Sequence, residues 1–220
     1  MLKSALVAGG TGLVGSQLVK LLIQSTKFDG VKVLVRKENP TQIEGADVLE
    51  VDYERLSEFE QYLKADVIFC CLGTTIKKAG SKEKFRKVDY AYPYELAKLC
   101  LKNGDIQFNI ITANGANSNS FFFYNRVKGD IEKALEGLNI QNLNIFRPSL
   151  LLGKRNEKRI TEEVGSIFAS VVNPLLVGKL KKHRAIQGLT VARAMLNVSL
   201  KNLSGIHYIE SNDIQKIGKS

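Results

Sequence analysis

Tyr124 and Lys128 bracket the run Tyr124-Asn125-Arg126-Val127-Lys128. On a helix that i, i+4 spacing puts a phenol and an ammonium on one face. A free tyrosine titrates at roughly pH 10, and a neighbouring cation stabilises the phenolate and lowers that value. Such a phenol can give a proton to a carbonyl oxygen as hydride reaches its carbon, or take one in reverse. Lys128 can also hold the ribose hydroxyls of a nicotinamide nucleotide. Thr112, whose hydroxyl both donates and accepts, is the candidate to orient the carbonyl. Ser118 and Ser120 lie in a polar loop and rank behind it. Phe121, Phe122 and Phe123 precede the tyrosine and read as a wall or an entry lip.

A hydride donor needs a place to bind, and the first loop offers one. It reads Gly9-Gly10-Thr11-Gly12-Leu13-Val14-Gly15. A short apolar run precedes it and a helical pattern follows. In that context glycines permit a tight turn, bring backbone amides against a diphosphate, and let the helix pack closely on the sheet. Gly9, Thr11, Gly12, Leu13, Val14 and Gly15 are the candidates for that contact. The loop has no Gly-Lys-Ser or Gly-Lys-Thr, so an ATPase reading is poor. Arg36 and Lys37 follow the second strand, where an acid would favour NAD. Their charge matches a 2′-phosphate, so NADP(H) is expected ahead of NAD(H). Asp52 is placed to meet the adenine amino group. Leu72, Gly73 and Thr74, after the fourth strand, would line the cofactor trough.

These residues all sit at the ends of predicted elements. Strands are expected at 4–8, 31–35, 47–51, 66–72, 108–112 and 143–146. Helices are expected at 13–24, 56–63, 84–101 and 123–138, with Pro93 dividing the long one. The strands are nearly continuous apolar runs, the mark of a sheet covered on both faces. The fold class is therefore α/β: a Rossmann-like doubly wound parallel sheet with helices on both faces and a small C-terminal lobe. Residues 1–220 read as one domain, with a cofactor-binding core at 1–147 and a smaller lobe at 148–220. That lobe carries helical patterns at 161–172 and 191–200 and a short strand at 206–209.

Composition narrows the class. Lys and Arg total 32 against 22 Asp and Glu, a formal charge of +10, and much of the excess is clustered. One cluster holds Lys77, Lys78, Lys82, Lys84, Arg86 and Lys87; others hold Lys154, Arg155, Lys158 and Arg159, and Lys179, Lys181, Lys182 and Arg184. No nucleic-acid-binding motif accompanies them, so solvated surface or a phosphorylated small ligand explains them better than nucleic acid. Cys70, Cys71 and Cys100, with no export signal, fit a reducing compartment, and a cytoplasmic location is expected. The run 167–177 is broken by Ser170, Asn173 and Pro174, so no membrane span is expected. His183 and His207 without clustered carboxylates suggest no metal site. His183 is a weaker candidate for substrate contact, and Arg147 is either structural or a contact for an anionic substrate. The expected partner is a small-molecule substrate, with a second copy or another protein left open.

Taken together, the chain resembles the short-chain dehydrogenase/reductase superfamily in its extended and atypical branches. Within it the likeness is to the small Tat-interacting-protein-2-like oxidoreductases. The stretches that carry it are Gly9 to Gly15, Cys70-Cys71-Leu72-Gly73-Thr74-Thr75, Lys78-Ala79-Gly80, Val88-Asp89, Tyr124 to Gly129, Phe146-Arg147-Pro148 and Val191 to Leu196. The resemblance implies a Rossmann-like core with NADP(H), the glycine turn on its diphosphate, Arg36 and Lys37 as the basic pair, and Tyr124 and Lys128 as the catalytic pair. The family has two hydroxyl residues after the fifth strand, whereas this chain has Thr112 and then Ala113. That departure implies weak or absent turnover, or a cofactor-sensing regulator, as an alternative to an NADP(H)-dependent oxidoreductase of small carbonyls or alcohols. A nucleotide-sugar dehydratase or epimerase is a third reading, opposed by the short second lobe.

Overall fold

The computed structural model describes residues 2–38, 41–153, 184–201 and 203–219. The expected helix at 161–172, the second and third basic clusters apart from Arg184, and His183 lie outside them. The elements run β1 (Lys3–Ala8), α1 (Gly15–Gln24), β2 (Phe28–Arg36), β3 (Asp47–Val51), β4 (Val67–Cys70), α2 (Ile76–Ala79), α3 (Lys82–Arg86), α4 (Tyr92–Lys102), β5 (Gln107–Ile111) and α5 (Phe123–Glu136). They continue with β6 (Asn142–Arg147), β7 (Leu151–Leu152), β8 (Ile186–Gln187), α6 (Gly188–Ser199), β9 (Gly205–Glu210) and α7 (Ser211–Ile217). A 3-10 segment, Tyr53–Tyr62, replaces the small helix expected at 56–63.

Seven strands form one sheet in the order β3-β2-β1-β4-β5-β6-β9, and every neighbouring pair is parallel. This is the Rossmann-like doubly wound sheet that the alternating pattern predicts, and its order reverses between β1 and β4. Such a reversal opens a crevice at the carboxyl ends of the strands, where ligands bind in sheets of this kind. Two apolar layers cover it. On one face Val7, Val33 and Phe69 pack with Leu18 and Leu22 of α1 and with Val191 and Met195 of α6. On the other, Leu6, Ile68, Phe108 and Ile145 pack with Leu96 and Cys100 of α4 and Ile131 and Leu135 of α5. Both faces of each central strand are thus removed from water, which is why those strands read as unbroken apolar runs.

Pro93 divides the long helix as its ring chemistry requires. Lys87–Ala91 forms a π turn in which Tyr92 N–H reaches Lys87 O, and α4 then starts with Pro93 in its first turn, where no N–H is needed. Asp89 lies in that π turn and is almost fully buried. The C-terminal segment contributes β9 to the edge of the same sheet and α6 to the layer that contains α1.

Candidate active site

The glycine turn sits at the carboxyl end of β1, and its glycines answer steric demands. Gly9 has φ +79°, and a Cβ there would lie 2.6 Å from Cys71 O. A Cβ on Gly15 would lie 2.2 Å from Gly9 O, so the start of α1 rests directly on the turn. Gly12 N–H closes the loop on Gly9 O at 3.0 Å. Val14 stands at the head of α1 without a side-chain cap, and the first turn of the helix holds no acid. Ser16 N–H already reaches Gly12 O at 3.0 Å, and the positive end of the helix dipole faces outward for an external anion. These residues fit the diphosphate of a dinucleotide. Thr11 and Gly12 are exposed; Leu13 instead packs toward Gly153 and Gly188.

Asp52 caps the 3-10 segment. Its Oδ1 accepts from Glu54 N–H at 2.9 Å and its Oδ2 from Arg55 Nε at 3.3 Å. The Glu54 amide first, and then Arg55 and Lys37, hold its carboxyl below the ordinary aspartate range against the opposing effect of burial. Arg36 and Lys37 are exposed at the end of β2, with Lys37 N–H bonded to Val51 O at 3.2 Å.

A second group of residues meets across the carboxyl end of β4. Lys128 Nζ lies 2.7 Å from Asp89 Oδ1, with side-chain exposures of 6 % and 0 %. The other oxygen of Asp89 accepts Thr74 N–H at 3.0 Å. A Cβ on Gly73 would lie 3.6 Å from Asp89 Oδ1 and 3.9 Å from Lys128 Nζ. Asp89 thereby joins the loop expected to line the cofactor to the lysine expected to serve it. Burial alone pushes the Lys128 ammonium down; Asp89 and then Tyr124 push it up, and the balance lies above the ordinary lysine range. Tyr124 is on the same stripe of α5, partly exposed, with its ring 5.6 Å from that of Phe85. Sequence reasoning quoted Asp89 without a role. The signal available was an acid next to an apolar helix stretch, and only the π turn aims it at Lys128.

Thr112 goes elsewhere. Its hydroxyl donates to Glu132 Oε1 at 2.6 Å and lies 3.3 Å from Phe146 O, and the residue is buried. A threonine has one hydroxyl proton, so in this arrangement none is left to orient a substrate carbonyl. Glu132 in turn takes two bonds from Arg147, from Nε at 3.0 Å and Nη2 at 2.6 Å, while Arg147 Nη1 reaches Glu210 Oε1 at 3.1 Å. Arg147 thus serves a framework. The loop before α5 is pinned by Arg126 Nη1, which donates to Ser120 O at 2.7 Å and Phe121 O at 3.3 Å, and it presents Phe121 and Phe122 to solvent. Cys70 and Cys100 are free thiols pushed by burial to about 12, which makes them poor nucleophiles. His207 Nε2 contacts Ser204 O at 3.0 Å in β9. Among the described residues no His, Cys, Asp and Glu group could hold a metal ion, and no helix is long and apolar enough to cross a membrane.

Comparison with known proteins bears on family, cofactor and location. The HIM1 family profile matches residues 29–180. Protein HTATIP2 of Rattus norvegicus is 34 % identical over 223 residues, covering 99 % of this chain and 90 % of its own. Protein FMP52, mitochondrial, of Candida albicans is 30 % identical over 235 residues and covers 99 % of each chain. Among solved structures, the Bordetella bronchiseptica enzyme WbmG in complex with NAD superimposes with a TM-score of 0.69 at 14 % identity, over 100 % of this chain and 77 % of that one. MoeE5 in complex with UDP-glucose and NAD does so with a TM-score of 0.68 at 12 % identity, over 98 % and 80 %.

Two expectations are corrected by these likenesses. The preference for NADP(H) is overturned, because the dinucleotide in these structures of the same fold is NAD. The physical reason is that an amide cradle reads the diphosphate, which both dinucleotides share, and two exposed cations at a strand end do not demand a 2′-phosphate. The cytoplasmic expectation is overturned by fungal relatives that are named mitochondrial. Free thiols indicate a reducing environment and cannot say which compartment supplies it. The chain belongs to the HIM1 family, is related to HTATIP2 and FMP52, and has the fold of solved epimerases and of a short-chain dehydrogenase family protein.

Proposed function

We propose that this protein binds NAD(H) across the carboxyl ends of β1, β2 and β4 and transfers hydride between it and a small carbonyl or alcohol. The observation that carries this reading is the arrangement of Thr74, Asp89, Lys128 and Tyr124 at the crevice beside the glycine turn. When bound, the nicotinamide supplies or accepts hydride at the substrate carbon. In the reducing direction Tyr124 gives its phenolic proton to the carbonyl oxygen as that oxygen gains negative charge, and the proton returns from solvent. Lys128, held charged by Asp89, sets the field in which the phenolate forms and stands next to the β4 loop, where it can hold ribose hydroxyls. Phe121 and Phe122, on a pinned loop, would meet the apolar part of the substrate.

The test is oxidation of NADH by purified protein with a panel of aldehydes, ketones and quinones. Turnover that Tyr124→Phe lowers by at least a hundredfold, with NADH affinity within threefold of wild type, is the expected result, on the scale that acid–base catalysis contributes, about 10²–10⁴-fold. Turnover indifferent to Tyr124 would end this reading.

The geometry of Thr112 favours one alternative. With its proton on Glu132 and with Ala113 beside it, the usual hydroxyl donors after the fifth strand are not offered. A cofactor-sensing binding protein would then show NADH affinity without turnover, and a partner whose affinity follows the cofactor's redox state.

A further inference from the structure

Tyr53 follows Asp52 at the end of β3 and turns its ring into the core, where it is 8 % exposed. It stacks on Tyr92, ring centroids 5.3 Å apart and 28° between planes. The two phenols are treated differently. Tyr92 donates its hydroxyl proton to Glu54 Oε1 at 2.7 Å. The Tyr53 hydroxyl has no hydrogen-bond partner, and it is the one buried side-chain hydroxyl so left among the described residues. The others are answered: Thr112 by Glu132, Ser199 by Leu196 O, Ser211 by Ser149. Gly9 N–H acts on the Tyr53 oxygen as a weak donor, short of full hydrogen-bond geometry, and Arg36 lies within electrostatic reach, so it is the hydroxyl proton that lacks an acceptor among the described residues. The orphaned hydroxyl therefore sits at the glycine turn, between it and the basic end of β2.

A buried polar group without a partner calls for an explanation, and an absent ligand is one. We infer that the Tyr53 hydroxyl is a binding group for the adenosine-diphosphate half of the dinucleotide, donating its proton to a phosphate or ribose oxygen there. The position supports this choice. The glycine turn on one side takes the diphosphate, and Asp52 and Arg36 on the other flank the adenosine end. Among the described residues no acceptor competes for the proton. The inference rests on the dinucleotide reading given above and adds a residue to it.

Tyr53→Phe removes only the oxygen. Affinity for NADH, and for ADP-ribose alone, should fall about threefold to tenfold, the range for one hydrogen bond. Affinity for nicotinamide mononucleotide should not move. The unliganded variant should melt at or above the wild-type temperature, because it lacks an unsatisfied buried group. Tyr92→Phe is the control: it loses a made bond to Glu54, so it should melt lower while keeping its affinity for ADP-ribose. Wild-type binding of NADH with equal affinity in Tyr53→Phe overturns the inference, as it would if a buried water answered the hydroxyl. A lower unliganded melting temperature for Tyr53→Phe also overturns it, since a partner inside the fold would then have been lost. Absence of NADH binding by the wild type overturns the dinucleotide reading itself, which separates the two failures.

Discussion

At Lys128 the decisive quantity is which of two opposed effects is larger. Burial disfavours the ammonium, and Asp89 at 2.7 Å restores it, so the folded pKa lies above the ordinary 10.5. The stability this raised value contributes is complete below the unfolded pKa and is lost as pH rises through the folded one. Asp89→Asn removes the compensating charge and leaves burial in control. Breaking a buried pair from one side costs about 3–5 kcal/mol, and that is the loss expected near neutral pH. The folded pKa of Lys128 should then fall below the unfolded value, and the sign reverses. The unfolded chain then binds more protons at Lys128, so between about pH 8 and about pH 10 the variant should regain stability relative to the wild type, while the raised Cys70 and Cys100 thiols tilt both profiles downward alike. Urea denaturation across that window measures it; parallel pH profiles for the two chains would show that Asp89 does not govern the lysine.

Helix α1 and the glycine turn are bound by contact distance alone. With Gly9 O 2.2 Å from the Cβ that Gly15→Ala would add, either the helix must lift or the turn must open. Overpacking of this kind costs about 1–3 kcal/mol, and the same displacement moves the amides that face the crevice. The variant should lose stability by that amount and lose NADH binding by more than tenfold, read by denaturation and by titration. This element was legible in the sequence because its chemistry is local: glycine spacing, a preceding strand and a following helical period. Strands β1 to β6 were legible for a similar reason, since residues buried on both faces leave continuous apolar runs. Helix α7 and the two-stranded pair of β7 and β8 were missed, being short and without a clear period. The role of Asp89 was missed because it depends on a π turn that redirects one side chain. The fate of Thr112 was missed because it depends on Glu132, a contact across twenty residues from α5.

On the scale of the whole molecule, a partly buried ionic network ties the last strands to the rest. Arg147 at the end of β6 joins Glu132 of α5 to Glu210 of β9, and its guanidinium lies 4.2 Å from the centroid of the Tyr208 ring. Through Glu132 it also fixes Thr112 at the end of β5. Glu132, with 4 % side-chain exposure, is the member least able to stand alone. Arg147→Met strands it as an uncompensated carboxylate and should destabilise by about 3–5 kcal/mol. Glu132→Leu leaves Arg147 partly exposed with Glu210 still beside it, so the loss should be smaller. The double variant removes both charges, and its loss should fall short of the sum of the two single losses by roughly 1–3 kcal/mol, the size of coupling seen between contacting residues. Additive losses in that cycle would mean that the pair holds nothing together. The double variant also takes away the Glu132 acceptor of the Thr112 hydroxyl, leaving it only Phe146 O at 3.3 Å. NADH oxidation in that chain then distinguishes a hydroxyl withheld from catalysis from one that has no part in it.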